Sequence, residues 1–172
     1  GAAEDAWLDP LAIERAIDKA CVDAAASGLH RFDDRWLVDP KDDVVMFFDG
    51  SKSLDATALV GCRVSDGHVF TIGVWERPRG KRGDRWTAPR KEVDERVREA
   101  FEWFNVVGFW ADPSHSKDDE DGSAFWDALI DEWHRDFKDR LRKELWAVKG
   151  GERQHSIMWD MTSPTRSASF VE

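Results

Sequence analysis

The chain has 172 residues, 35 of them acidic against 25 Lys and Arg, which gives a formal charge of -10 at pH 7. That length suits one ordinary domain with no need of a disulfide or metal staple, and the bulk acidity argues against a generic nucleic-acid coat, although a local cationic strip or a bound divalent ion can reverse the potential where binding occurs. With 41% hydrophobic residues, ten Trp, ten Phe and no Tyr, the chain is too apolar to be disordered, and no apolar run approaches the roughly 20 residues of a membrane span.

The first pattern is Ile13, Ala16, Ile17, Ala20, Cys21 and Ala24, an apolar stripe at helical spacing that Asp9-Pro10 opens and Gly28 closes. It predicts a leader helix and linker over 1–40, ahead of a domain over 41–172. Val44 to Phe48 is a continuous apolar run that stops at Asp49-Gly50-Ser51, as expected of a strand buried on both faces with polar chemistry at its end. Ala56 to Val64 reads as a second strand, Ser65-Asp66-Gly67 as a turn and His68 to Trp75 as a third strand, together a hairpin. From Glu76 to Lys91 the density of Gly, Pro and Arg predicts an irregular basic loop.

Val93, Val97, Ala100, Phe101 and Phe104 then mark a helix, and Val106 to Ala111 a strand that ends, like the first, in an aspartate, Asp112-Pro113. Ser114 to Asp121 is a polar connection whose Asp118, Asp119, Glu120 and Asp121 read as a solvated run favouring the start of the next helix. That helix is long, with Phe125, Trp126, Leu129, Ile130, Trp133, Phe137 and Leu141 on one face, and Ile157, Trp159 and Met161 alternate as a last strand. Ser163-Pro164 reads as the opening of a further helix, so the domain is expected to continue past Glu172. Antiparallel strands followed by strand–helix alternation predict an α/β fold, a mixed sheet with helices on both faces. Cys21 and Cys62, far apart in apolar patterns, read as buried thiols of a reducing, cytoplasmic compartment.

Two short buried strands thus end in Asp49 and Asp112. If they are parallel neighbours, both carboxylates reach the same sheet edge, where open α/β sheets place their ligands. Carboxylates held that close repel, and Mg²⁺ or Mn²⁺, which prefers carboxylate and water oxygens, removes the conflict. Asp55, at the mouth of the second strand, is a candidate third ligand; the alternative is that each aspartate caps a turn or a helix. Arg77, Arg79, Lys81, Arg82, Arg85, Arg90 and Lys91, with Trp75 and Trp86 interleaved, could neutralise DNA phosphates without reading bases. Lys52 and Ser51 could touch a phosphate, and His115 could position water or a ligand; solvated-loop roles are the alternative for each.

The stretch VVMFFDGSKSLDATALVGC, Val44 to Cys62, resembles the first nuclease motif of phage terminase large subunits, and GFWADPSH, Gly108 to His115, is similar to the second. The order continues through HSIMWDMTSPTRSASFVE, so the resemblance covers nearly the whole chain, most closely the terminases of actinobacterial phages and prophages. It implies an RNase H-like fold and a metal-dependent endonuclease that cuts concatemeric DNA during capsid packaging. Carried over, Asp49 and Asp112 are metal-binding carboxylates and Asp55 the auxiliary acid. Two Mg²⁺ or Mn²⁺ ions roughly 3.5–4 Å apart would support in-line attack of an activated water. The family supplies a further acid on or before a final helix, expected past Glu172; Asp160 is the local candidate. Partners implied are double-stranded DNA, the terminase ATPase domain, the small terminase subunit and the portal, with no membrane.

No G-x-x-x-x-G-K-[ST] occurs, since Gly80-Lys81-Arg82 lacks both the upstream glycine and the hydroxyl residue, so ATP-driven motor activity is not expected. One competing reading is an actin-like or haloacid-dehalogenase-like phosphoryl-transfer enzyme, but in the latter Phe47 stands where a nucleophilic aspartate is needed. The other is a non-catalytic DNA-binding or docking module of the packaging machine.

Overall fold

A computed structural model of the chain describes residues 38–53, 55–114 and 125–159. The expected leader helix with Cys21, the acidic run 118–121, and Met161 with the helix opening at Ser163-Pro164 lie outside the described residues. Strand β1 (Asp43–Asp49) pairs antiparallel with β2 (Thr57–Arg63), which pairs antiparallel with β3 (Val69–Trp75). Helix α1 (Arg90–Trp103) then carries the chain across the sheet to β4 (Asn105–Asp112), which lies parallel to β1 on its other side. The sheet order is therefore β3-β2-β1-β4, a mixed α/β arrangement as the sequence predicts.

The continuous apolar run of β1 is buried on both faces. Val44, Met46 and Phe48 enter a large cluster, whereas Val45 and Phe47 enter a second one on the opposite face. Val93, Val97, Ala100 and Phe101 of α1 fill the first cluster, as do Ile130 and Trp133 of α2 (Asp127–Phe137). Phe48 is wedged edge-on between Trp126 and Trp133, with ring centroids 5.0 and 5.4 Å away, an aromatic geometry that adds to simple area burial. Among the described residues both helices thus pack on one face of the sheet. The opposite face holds Val60, Cys62, Val74 and Val107, with Trp110 and Leu145 against them. Burial there raises the Cys62 thiol pKa, in line with an inert core cysteine.

Three expected boundaries shift. The basic loop ends at Pro89, because Arg90 and Lys91 already belong to α1, and it contains a 3-10 turn over Gly80–Gly83. A Cβ on Gly83 would collide with the Pro78 carbonyl, so the close approach that shapes this turn requires glycine. The helix expected to reach Leu141 stops at Phe137 and tightens into a 3-10 turn over Lys138–Arg140. Phe137 stacks flat on Phe101 at 3.9 Å and the Arg140 guanidinium donates to the Phe101 carbonyl, so tertiary packing turns the chain while Leu141 stays buried beyond the helix. Among the described residues the last strand is a parallel bridge of Met158 to Ala111, in which Ala111 N–H donates to the Ile157 carbonyl and Trp159 N–H to the Ala111 carbonyl, at 2.9 and 2.8 Å.

Candidate site at the aspartate edge

Strand β4 is one residue longer than β1, and a bulge absorbs the difference: Val44 pairs with Val106 but Val45 with Gly108, leaving Val107 between them. Beyond the bulge Phe47 pairs with Trp110 and Asp49 with Asp112, so the two aspartates are register partners at the carboxyl ends of adjacent parallel strands. Had the strands kept the Val44–Val106 register to their ends, Asp49 would face Ala111. Because side chains alternate with a period of two, the bulge also puts Asp112 on the same face as Asp49. Arg142 N–H donates to the Val107 carbonyl at 2.9 Å, which holds the irregularity in place.

Ser114 joins the pair. Its backbone N–H donates to Asp112 Oδ1 at 2.8 Å and its hydroxyl donates to Asp49 Oδ1 at 3.0 Å. Its φ of 47° is the sole left-handed backbone outside glycine among the described residues, a strained conformation of the kind that persists where surrounding bonds dictate it. The turn after Asp49 is fixed as tightly. Gly50 N–H donates to the Asp112 carbonyl at 3.0 Å, and a Cβ on Gly50 would lie 2.6 Å from the Trp126 ring, too close for any other residue. Ser51 N–H donates to Thr57 Oγ1, the Thr57 hydroxyl donates back to the Ser51 carbonyl, and Trp126 Nε1–H donates to that carbonyl at 3.2 Å.

The other sequence candidates divide. Asp55 is exposed in the loop before β2, its N–H bonded to Ser51 Oγ, and among the described residues no three His, Cys, Asp or Glu side chains gather as a metal-holding group. The structure therefore brings Asp49 and Asp112 together and leaves Asp55 out of their cluster. His115 and Asp160 lie outside the described residues. The basic loop leaves β3 at Trp75, which pairs with Thr57 beside the Asp49 end of β1, so Arg77, Arg79, Lys81, Arg82 and Arg85 emerge exposed at the aspartate edge. Arg77 lies 3.9 Å from Asp84. The loop returns to the site where Ala88 N–H donates to the Lys52 carbonyl at 2.8 Å.

A strongly perturbed carboxylate lies at the opposite edge and is structural. There the Arg63 guanidinium grips both oxygens of Asp66 at 2.9 and 2.8 Å and holds its carboxyl well below the usual range. Sequence reasoning missed Thr57, Ser114 and Trp126 as site-building residues. Asp112-Pro113-Ser114 carries a local signal, since an aspartate readily accepts the N–H two residues on; the reach of Trp126 from the start of α2 has none.

No protein-family model and no solved structure matches the chain. Two curated phage proteins do. The "Gene 13 protein" of Mycobacterium phage L5 is 37% identical over 142 residues, covering 82% of this chain and 21% of its own length. The protein of the same name from Mycobacterium phage D29 is 36% identical over 148 residues, with the same coverages of 82% and 21%. The chain thus spans about a fifth of the length of the curated relatives it matches, and the phage kinship expected from its motifs is met.

Proposed function

We propose that this chain is the nuclease portion of a phage terminase, an RNase H-like, divalent-metal-dependent endonuclease that hydrolyses phosphodiester bonds of concatemeric DNA. The observation that carries the reading is the Asp49–Asp112 register pair, tied together by Ser114 at the carboxyl edge of two parallel strands. Three features support it: the 3-2-1-4 strand order with β4 parallel to β1, the basic loop at the same edge, and relatives about four times as long, which leaves room for a motor outside this segment.

The donor set suits a hard cation, because two half-buried carboxylates stand level at a sheet edge and hard divalent ions favour such oxygens. Asp49 and Asp112 would hold the Mg²⁺ or Mn²⁺, with further oxygen ligands coming from elsewhere. When bound, such an ion activates a water and stabilises the leaving oxygen of the phosphodiester. The chain's own residues do the rest. Ser114 fixes the orientation of both carboxylates, Thr57 and Trp126 lock the turn after Asp49, and Arg77, Arg79, Lys81, Arg82 and Arg85 attract the DNA backbone to an edge that the carboxylates alone would make repulsive. The expected location is the cytoplasm of an infected or lysogenic host, and the expected partners are the ATPase domain, the small subunit and the portal.

Nicking of supercoiled plasmid tests this. Cutting should require Mn²⁺ or Mg²⁺ and fall by at least about 100-fold in Asp49→Asn and in Asp112→Asn, in proportion to the several kcal/mol a metal centre supplies. Binding of duplex with no cutting in either metal would instead favour the DNA-binding or docking module.

A further inference from the structure

A second cluster of charge lies at the same end of the sheet as the carboxylates, since Lys52 follows Asp49 by three residues. The turn after Asp49 places Lys52 with its ammonium 6.0 Å from the centroid of the Phe125 ring, and Arg90 stacks over the same ring at 4.2 Å. These residues come from three separate segments, the β1–β2 loop, the first turn of α1 and the approach to α2, and backbone bonds fasten them together. Ala88 N–H donates to the Lys52 carbonyl at 2.8 Å, Arg90 Nη1–H donates to the Phe125 carbonyl at 3.2 Å, and the neighbouring Trp126 indole donates to the Ser51 carbonyl at 3.2 Å. An aromatic face under two cations holds them in place at little entropic expense. The Phe125 carbonyl takes one of five guanidinium N–H groups, and the planar fork of Arg90 retains donors suited to a phosphate. Helix α1 starts at Arg90 and is fourteen residues long, so the positive end of its dipole reinforces the same spot.

We propose that Lys52 and Arg90, gathered on the Phe125 ring, form a phosphate clamp that binds the DNA backbone beside the Asp49–Asp112 pair. The proposal rests on the nuclease reading for its substrate and gives the two basic regions different work: the 77–85 loop draws DNA in, and the clamp seats one short stretch of backbone against the carboxylates. A phosphodiester brought to two carboxylates meets like charge, and a fixed pair of cations beside them offsets that repulsion where the strand must sit. Arg90 offers fork geometry and Lys52 a point charge, so the Arg position is the more demanding of the two.

The test is duplex binding by the full chain across a salt series, in an Asp49→Asn background so that no DNA is cut, alongside plasmid nicking with the aspartates intact. Removing one cation that neutralises a phosphate should flatten the dependence of log Kd on log salt by about 0.9. Lys52→Ala with Arg90→Ala should therefore flatten it by about 1.8 and slow nicking at saturating DNA. Arg90→Lys should keep most of the salt slope yet recover only part of the nicking rate. Lys41→Ala, an exposed cation before β1 at the opposite edge, should change neither. The clamp is overturned if the double variant, with an unchanged melting temperature, keeps the wild-type slope, if Lys41→Ala flattens the slope as much, or if the chain binds no duplex. A flattened slope in a protein that nicks in no metal would retain the clamp and overturn the nuclease reading.

Discussion

Thr57 shows how a small side chain governs the candidate site. It is fully buried, and its hydroxyl accepts the Ser51 N–H while donating to the Ser51 carbonyl, so one residue closes the turn that follows Asp49. Valine has the same shape without the hydroxyl, and Thr57→Val would leave a part-buried N–H without its acceptor, at a cost of about 1–3 kcal/mol. Urea unfolding should show that destabilisation, and nicking should fall further than the small change in folded fraction explains, because the turn also positions Asp49 and Lys52. Thr57 lies inside the stretch Val44 to Cys62 that carries the resemblance, so its place beside the site was legible. Its pairing with Ser51 was not, because a loop closure across six residues leaves no periodic signal. Ser114 is similar: the Asp-Pro-Ser turn is local, whereas its hydroxyl bond to Asp49, sixty-five residues away, depends on the sheet register.

At the scale of elements, the segment after the 3-10 turns lies along β4 by means of a histidine pair. His134 Nδ1 accepts the Ser156 N–H at 3.1 Å and faces the Ser156 hydroxyl at 2.6 Å, while His155 Nδ1 accepts the N–H groups of Ile157 and Met158 and its Nε2 meets Asp131 at 3.0 Å. Accepting at Nδ1 requires that nitrogen to be unprotonated. Burial first, then the charges of His155 and Lys138, lower the His134 pKa below its ordinary 6.5, with Asp131 opposing and Arg135 adding the smallest contribution. Below that ordinary value the unfolded chain binds more protons than the folded one, so the contribution of His134 to stability is complete above it and is lost as pH falls through the lowered folded value. The melting temperature should therefore drop between about pH 7 and 5.5, a range chosen above most carboxylate titration. The drop should be shallower in His134→Gln, which keeps an acceptor and does not titrate. Protection factors for amide exchange at Ile157 and Trp159, taken relative to the intrinsic rate at each pH, should fall over the same interval; an equal drop in melting temperature in wild type and His134→Gln would assign it to other groups. Neither histidine stood out in the sequence, since each gains meaning only when α2 is laid beside the returning strand.

For the whole molecule, the principal prediction concerns metal. Any ion that binds the folded chain alone stabilises it by mass action, about 2.7 kcal/mol at a hundredfold excess over Kd, which for a chain of this size is a rise of roughly 5–10 °C. Mn²⁺ should produce such a rise in calorimetry, and the Asp49→Asn/Asp112→Asn double variant should lose it. Without metal that variant should melt no lower than wild type, because the substitutions keep the shape and remove repulsion between adjacent carboxylates. The sequence alone determined where most elements begin and end and that two buried strands stop at aspartates, because those properties rest on local periodicity and on residues that interrupt it. It also placed seven cations in one stretch between the aspartates, Arg90 among them. Only the tertiary structure decided that β4 lies parallel to β1, that the bulge at Val107 levels Asp49 with Asp112, and that Arg90 and Lys52 meet on Phe125. Those facts are pairings between distant segments, set by how α1 crosses one face of the sheet and by which side chains fill both clusters, and no local pattern encodes them.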